Sequence, residues 1–208
     1  MEGVQSLERA RTSDKVRTAG VLCAIGGAGW LVNGVLSLMI SQSSGMVLAI
    51  ADVFWIGIQS LLLIGVVGLA LSGAAPGWFG GISLGIALLG RVDFVLAEIH
   101  SLINVLVIGD DTSILLPLGP LVTAVGMTLV GIAVLRARRW GSWQRFTPLL
   151  TGIYPFVVMF PFFVITGEPN TLTISGWGLL WVLLGYAILT SVRDRPTPRP
   201  APAQQETA

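Results

Sequence analysis

Charge is scarce in this sequence, and that scarcity limits the class of protein. Only 11% of the 208 residues are charged, whereas a water-soluble domain usually carries about 25%. Because hydrophobic residues make up 53% of the chain, it lacks the charge to build a water-facing surface, and lipid must contact much of it. The formal net charge of +1 predicts no nucleic-acid partner.

Cysteine, histidine and lysine each occur once, as Cys23, His100 and Lys15. A single cysteine excludes an internal disulfide and a cysteine-based metal cluster, and a single histidine excludes a bis-histidine haem. No lysine lies in an apolar run, which excludes a Schiff-base chromophore. Gly-x-Ser-x-Gly, His-Glu-x-x-His and P-loop patterns are missing. We therefore predict no metal and no cofactor, and the sequence leans away from an enzyme.

Six apolar runs are each long enough to cross a bilayer, since a spanning helix needs about 20 mainly apolar residues. No run alternates polar and apolar residues as a membrane strand does. We predict an all-α polytopic membrane protein, a bundle of six transmembrane helices (18–192) between a polar N-terminus (1–17) and a disordered proline-rich tail (193–208). The predicted spans are 18–40, 46–71, 78–108, 113–135, 147–166 and 174–192.

The basic residues predict the orientation of these spans. Eleven of the twelve lie before the first span, between the fourth and fifth, or after the sixth, and six spans place these three segments on one side. The other side receives only Asp110, Asp111 and Glu168. The positive-inside rule then predicts a multi-pass protein of the cell membrane with cytoplasmic N- and C-termini.

Arginines and indole rings are mixed between the fourth and fifth spans, a pattern typical of a lipid-headgroup anchor. The predicted headgroup contacts are Arg136, Arg138, Arg139, Trp140, Trp143 and Arg145. Trp78 is predicted at the same interface, and Trp177 at the opposite one. The lipid bilayer is thus the partner that the sequence indicates, and a second copy of the chain or another membrane protein is left open.

The third span contains Arg91, Asp93, Glu98 and His100 within ten residues. Its three charges cost about 9 kcal/mol on an insertion scale, and the 13 Leu, Ile, Val and Phe residues from 79 to 103 return about 6 kcal/mol. Because this span is unfavourable alone in lipid, we predict that helix three is central in the bundle, shielded by the other helices.

Helical geometry divides these polar residues between two faces. At about 100° per residue, Asp93, His100 and Asn104 share one face, and Arg91 and Glu98 lie nearly opposite. Counted from the ends of the first two predicted spans, Asn33, Asp52 and Gln59 lie at the same depths in the bilayer as these residues of the third span. We predict a polar cluster that binds a ligand or ion or relays protons, with the members Asn33, Asp52, Gln59, Arg91, Asp93, Glu98 and His100. The alternative is structural pairing of Arg91 with one of the carboxylates.

Small residues and prolines predict how the spans pack and bend. Small residues at four-residue spacing in the first and third spans predict packing surfaces. They are Gly20, Ala24, Ala28, Gly81 and Gly85. Pro155 and Pro161 should bend the fifth span, because each removes a backbone hydrogen bond.

Three classes of function remain open from the sequence. The polar cluster favours a small transporter, channel or ligand-binding membrane protein, although 208 residues is short for a secondary transporter unless the chain dimerises. An accessory, assembly or sensing protein is the alternative, in which the polar residues fix helix packing. A membrane enzyme with carboxylate and imidazole metal ligands is the least favoured class, because only one histidine is present.

Overall fold

The helices follow the apolar runs of the sequence. The computed structural model describes residues 2–39, 45–107, 118–167 and 170–191, and no strand occurs within these ranges. The elements are α1 (Glu2–Met39), α2 (Gly45–Leu71), α3 (Gly77–Val107), α4 (Leu118–Ala137), a 3₁₀ turn (Gln144–Phe146), α5 (Thr147–Tyr154), a π-helical turn (Pro155–Met159), α6 (Phe160–Thr166) and α7 (Thr171–Ser191). The prediction of an all-α fold is confirmed for the described residues.

Five stretches of this fold are long and apolar enough to cross a membrane. They are Ala10–Leu36, Ala49–Leu71, Leu118–Ala137, Gln144–Thr166 and Thr171–Ser191. The remaining long helix, α3, has 31 residues and carries the charges of Arg91, Asp93 and Glu98. The predicted tail (193–208) and the predicted loop carboxylates Asp110, Asp111 and Glu168 lie outside the described residues.

The first helix is longer than the first predicted span. It begins at Glu2 and runs for 38 residues, so most of the polar segment 1–17 is helical. The hydroxyl of Thr12 donates to the backbone carbonyl of Glu8 at 2.9 Å within this extension. Val16 is buried, which shows that packing of α1 begins before the predicted start of the span.

The six long helical stretches form a ring. α2 packs against α1 and α3, and α4 packs against α3 and α5. α7 closes the ring between α5 and α1, and its contact with α1 is the most extensive in the fold. Glycines make this closure possible, because a Cβ at Gly27 would lie 2.7 Å from the carbonyl oxygen of Gly178. The first and last helices therefore hold the ring shut.

The predicted packing surfaces hold for one helix only. Gly20 lies against Gly185 across the contact between α1 and α7, as a packing surface requires. Gly81 and Gly85 have no atom within 4 Å of an added Cβ, so the prediction for α3 is wrong. Gly90 is the glycine through which α3 approaches α4, at Thr123. Residue spacing reveals a stripe of small residues but not the direction in which it faces.

The predicted central position of α3 is also wrong. α3 packs mainly between α2 and α4, and the outer side of the helix is exposed, with Leu89 at 68% and Leu106 at 68%. Buried side chains occupy part of the interior of the ring instead, among them those of Arg91 and Glu98. A long side chain reaches a shielded position from a helix that is itself not enclosed, so charge shielding does not require a central helix.

The fifth predicted span is a helix in three parts, and its regular α-helical structure is interrupted at Pro155. Pro155 opens the π-helical turn between α5 and α6. Four residues of α5 are buried, namely Thr147, Pro148, Thr151 and Gly152. None of the residues of α6 is buried. The second half of this span therefore does not pack into the bundle, and that leaves space beside α4 and α7.

Candidate ligand-binding cavity

Arg91 lies at the centre of the ring, inside a cage of aromatic side chains. Arg91 is fully buried, with 0% of its surface exposed. The guanidinium carbon lies 3.9 Å from the centroid of the Trp181 ring and 5.3 Å from that of Trp177. Phe94 and Trp30 complete the cage at 5.4 and 5.9 Å. Aromatic faces attract a cation through the ring quadrupole, and this attraction grows when water is excluded.

We call Trp30, Phe94, Trp177 and Trp181, the rings around Arg91, the arginine cage. Arg91 has a single hydrogen-bond acceptor among the described residues. Nη1 of Arg91 donates to Oε1 of Gln59 at 2.6 Å. Nε and Nη2 have no hydrogen-bond partner among the residues that the structure describes. The pairing of Arg91 with Glu98, Asp93 or Asp52 stays a prediction. Seven residues separate Arg91 from Glu98, which places them two turns, or about 10.5 Å, apart along α3.

The backbone carbonyls of the neighbouring helices fix two of the three tryptophans of the cage. Nε1 of Trp30 donates to the carbonyl of Ile174 at 3.0 Å, and Nε1 of Trp177 donates to the carbonyl of Thr151 at 2.8 Å. Trp30 also packs edge-to-face against Trp177, with ring centroids 5.4 Å apart. Trp30 and Trp177 are therefore held at their polar edges, whereas the buried Nε1 of Trp181 has no hydrogen-bond partner among the described residues.

A cavity of about 300 Å³ adjoins this cage. It lies toward the distal end, which we define as the end where α1 finishes and α2 begins, opposite the basic end that carries residues 136–145. Every part of the ring contributes to its lining, since α1, α2, α3, α4, the π-helical turn and α7 each supply at least one residue. Its polar lining residues are Asp52, Gln59, Glu98 and Ser101. We call this space the acidic cavity.

Three of the seven predicted cluster residues line the acidic cavity together: Asp52, Gln59 and Glu98. Arg91 lies beside it in the cage, in contact with Gln59. Asn33 is buried on α1 but is not among the residues that line the space. The structure thus brings Asp52, Gln59 and Glu98 together and leaves Asn33 outside the lining of the cavity.

The other face of α3 carries the remaining predicted residues. His100 is exposed, and its Nδ1 lies 3.2 Å from the side-chain nitrogen of Asn104. Asp93 is half-buried and faces α4, where an added Cβ at Gly119 would lie 3.1 Å from Oδ2 of Asp93. The helical geometry that placed these residues opposite Arg91 and Glu98 is confirmed, and grouping His100 and Asp93 with them in one cluster is wrong.

Aromatic residues are the part of the site that sequence reasoning missed. Trp30, Trp55, Phe94 and Trp177 line the acidic cavity. Trp177 was predicted at the membrane interface, yet it is fully buried. The sequence contained one signal for this. Trp30 lies deep within the first apolar run rather than at its end, a position that indicates a ring inside the bundle rather than at the membrane interface.

A second cavity, of about 380 Å³, adjoins the first and is almost entirely apolar. Both cavities are lined by Pro120, Met159 and Ile174. The second space lies where α6 fails to pack, and Phe160 and Phe163 form part of its wall. We call it the apolar cavity.

The predicted headgroup residues lie at the basic end. Arg136, Arg138 and Arg139 are exposed there. Trp143 is 43% exposed and stacks on Tyr186, with centroids 5.8 Å apart. Trp140 is buried, so its ring packs within the fold rather than toward lipid.

The remaining headgroup candidate, Arg145, is half-buried at the same end. Its guanidinium lies 4.9 Å from the ring centroid of Phe146. Nη1 of Arg139, by contrast, donates to the carbonyl of Gly73 at 3.1 Å, which ties the basic segment to the turn after α2. Part of this arginine set therefore also holds the fold together.

The fold and its cavities define an all-helical protein with apolar helices long enough to span a membrane and an internal space of ligand size. Within the described ranges no three His, Cys, Asp or Glu residues lie close enough to hold a metal ion. Comparisons with protein-family models, curated proteins and solved structures found no match. The chemistry of the cavity is therefore the basis for a function.

Proposed function

We propose that the protein crosses the cell membrane six times, with both termini in the cytoplasm. Five apolar stretches support the proposal, and α3, which packs between α2 and α4, would be the sixth span. The exposed arginines at the basic end would then face the cytoplasm. The outward apolar side chains of α3 would contact lipid, while its charges stay inside the ring.

Reporter fusions test this orientation. Fusions after Arg139 and after Arg199 should both report a cytoplasmic position, and a fusion after Asp111 should report the opposite side as the control. A cytoplasmic signal at all three positions, or an external one at Arg139, contradicts the six-span topology.

We further propose that the protein is a small ligand-binding membrane protein of the transporter type. The observation that supports this proposal is the acidic cavity, to which every part of the ring contributes lining residues. A bundle that needed only to be stable would fill this space with apolar side chains, because voids and buried charges both lower stability. The buried Asp52 and Glu98 beside an open space therefore indicate selection for binding.

The arginine cage would act as the barrier to passage through the protein. It fills the bundle between the acidic cavity and the basic end with four aromatic rings around one guanidinium. A solute in the cavity would pass toward the basic end only after these rings move apart. The π-helical turn that Pro155 opens carries Met159 of the cavity wall, so a movement at this turn would change the cavity directly.

Thiol labelling tests whether the cavity is accessible. Ser101 and Ser83 are both buried serines of α3, but only Ser101 lines the acidic cavity. A small water-soluble thiol reagent should modify Ser101→Cys, and the matched control Ser83→Cys should remain unmodified. The native Cys23 is fully buried and should not react either. Equal protection of both introduced thiols would refute a ligand-accessible cavity.

An accessory or assembly function is the second candidate, and one observation favours it. α6 is apolar and exposed on all its residues, so a second copy of the chain or another membrane protein would find a free surface there. Flux of a solute in vesicles that contain the purified protein alone would favour the transporter. A stable complex whose formation requires Val164 and Ile165 of α6, without any flux, would favour the accessory function.

A further inference from the structure

The carboxamide of Gln59 is held in one orientation inside the ring. Gln59 is buried, at 1% exposure, and it lines the acidic cavity. Nη1 of Arg91 donates to its Oε1 at 2.6 Å. Because a guanidinium has no acceptor, only the oxygen end of the carboxamide can face Arg91. Nε2 of Gln59 is therefore the end that remains for another partner.

Nε2 of Gln59 is a buried donor that lacks an acceptor. It has no hydrogen-bond partner within the part of the chain that the structure describes. The hydrogen bond from the charged Arg91 polarises the carboxamide, and this makes Nε2 a stronger donor. A buried donor without an acceptor destabilises a fold. An acceptor atom of a molecule bound in the acidic cavity would satisfy it.

The charged side chains around the cavity disfavour a charged ligand head. An anionic head would meet the carboxyl groups of Asp52 and Glu98 in the cavity wall, and like charges repel strongly where water is excluded. Both carboxyl side chains have interactions of their own, so Gln59 is the group that requires a ligand. An ammonium head would lie near Arg91, and it only donates hydrogen bonds, so it cannot satisfy Nε2. A neutral head with an oxygen acceptor meets neither obstacle.

The adjoining apolar cavity defines the other end of the ligand. Because it shares Pro120, Met159 and Ile174 with the acidic cavity, one molecule can occupy both spaces. Its wall includes Phe160 and Phe163, which are 48% and 46% exposed. It therefore borders the outer surface of the bundle beside α6, the surface that would face the hydrocarbon of the bilayer.

We infer that the two cavities together bind a neutral amphiphile, whose head presents an oxygen acceptor such as a carbonyl group to Nε2 of Gln59 and whose hydrocarbon tail lies in the apolar cavity. This inference rests on the proposed ligand-binding function and names the class of ligand. Because the tail end borders the lipid-facing surface, the molecule enters from the bilayer.

Four probes with tails of similar length test the class of ligand. They are methyl pentyl ketone, the alkene in which a methylene group replaces the ketone oxygen, hexanoate and hexylammonium. Binding is measured as protection of the Ser101→Cys thiol in the full chain, in uncharged maltoside micelles, against the mole fraction of probe in the micelle. The ketone should protect at about tenfold lower mole fraction than the alkene, because only the ketone accepts a hydrogen bond from Nε2. Hexanoate and hexylammonium should not protect in the same range.

Substitutions then locate the head and the tail. Gln59→Glu keeps an oxygen for Arg91 but replaces the donor nitrogen by a second oxygen, so it should weaken binding of the ketone by about tenfold or more and leave binding of the alkene unchanged. The matched control Gln144→Glu alters a second buried glutamine, whose Nε2 donates to Thr190 at 2.9 Å, and it should change neither. Leu121→Trp fills the apolar cavity and should weaken binding of the ketone and the alkene alike.

The possible outcomes separate this inference from the proposed function. Protection by hexanoate or hexylammonium equal to that by the ketone would overturn the neutral head, and equal effects of Gln59→Glu on the ketone and the alkene would overturn the contact with Nε2. If Ser101→Cys is labelled but no probe protects it, the ligand class is wrong and the cavity remains. If Ser101→Cys is not labelled at all, the proposed function itself fails. Should Gln59→Glu not fold, the four probes still decide with glutamine at position 59, where equal protection by the ketone and the alkene overturns the inference.

Discussion

The contact between α1 and α7 gives a prediction whose size follows from the geometry. An alanine at position 27 would place its Cβ 2.7 Å from the carbonyl oxygen of Gly178 and 2.7 Å from the backbone nitrogen of Val182. Both neighbours are backbone atoms, so neither can rotate away. Because carbon atoms pack at about 3.5–4.0 Å, the two helices would have to separate by about 0.8 Å or more.

A gap of this size weakens the contact along its length. A separation of about 0.5–1 Å forfeits a quarter to a half of the dispersion attraction of the atoms that line it. Cys23, Trp30 and Trp181 are among the buried residues at this contact, and a Cys23 thiol donating to the Trp181 carbonyl at 3.5 Å would be lost first. Overpacking of this kind typically costs about 1–3 kcal/mol, and we expect Gly27→Ala to lower the free energy of unfolding by that amount.

The chain provides a matched control for this substitution. Gly85 also lies within a long helix, and an added Cβ there meets no atom within 4 Å. Gly85→Ala should be neutral or stabilise by up to about 1 kcal/mol, because alanine loses less backbone entropy than glycine. Unfolding of both variants is measured in the same mixed micelles by circular dichroism. Equal midpoints for Gly27→Ala and Gly85→Ala would refute the close approach of α1 and α7.

Two further substitutions test the polar interior and the basic end. Gln59→Leu removes the one acceptor that Arg91 has among the described residues and should cost about 1.5–3 kcal/mol in the same unfolding assay. Gln59→Glu supplies a carboxylate at that position and should unfold at a higher midpoint than Gln59→Leu. The reverse order would contradict the cage. Trp143→Ala removes the stacking on Tyr186 and should lower the free energy of unfolding by about 0.5–1.5 kcal/mol. Trp143→Phe should retain most of the stacking energy. Equal losses of unfolding free energy in the two variants would exclude stacking as the cause.

The helices were predictable because apolar length and turn residues are local properties. The second predicted span, 46–71, differs from α2 by one residue at its start. The shared face of Arg91 and Glu98, opposite Asp93 and His100, was predictable for the same reason, since the angle around a helix depends only on residue number. The interruption of the regular α-helix at Pro155 follows from the missing backbone hydrogen bond.

The partners of these residues were not predictable, because they depend on which helices are neighbours. Trp177 and Trp181 reach Arg91 only because α7 returns beside α1. Periodicity gives the face of α3 on which Arg91 lies but not the helix opposite. The insertion free energy of α3, summed over that helix alone, therefore predicted that the whole helix is surrounded by other helices. A long side chain, shielded by aromatic residues of other helices, was sufficient to bury the charge of Arg91.

The closure of the ring by its first and last helices has a consequence for biosynthesis. Trp181 follows Arg91 by 90 residues, so a ribosome needs roughly 5–20 s to supply it after Arg91 has been made. During that interval the guanidinium has been made, but Trp177 and Trp181, two of the four rings that surround it, have not yet been translated. Truncation before α7 would therefore remove Trp177 and Trp181, two of the four rings that surround the guanidinium.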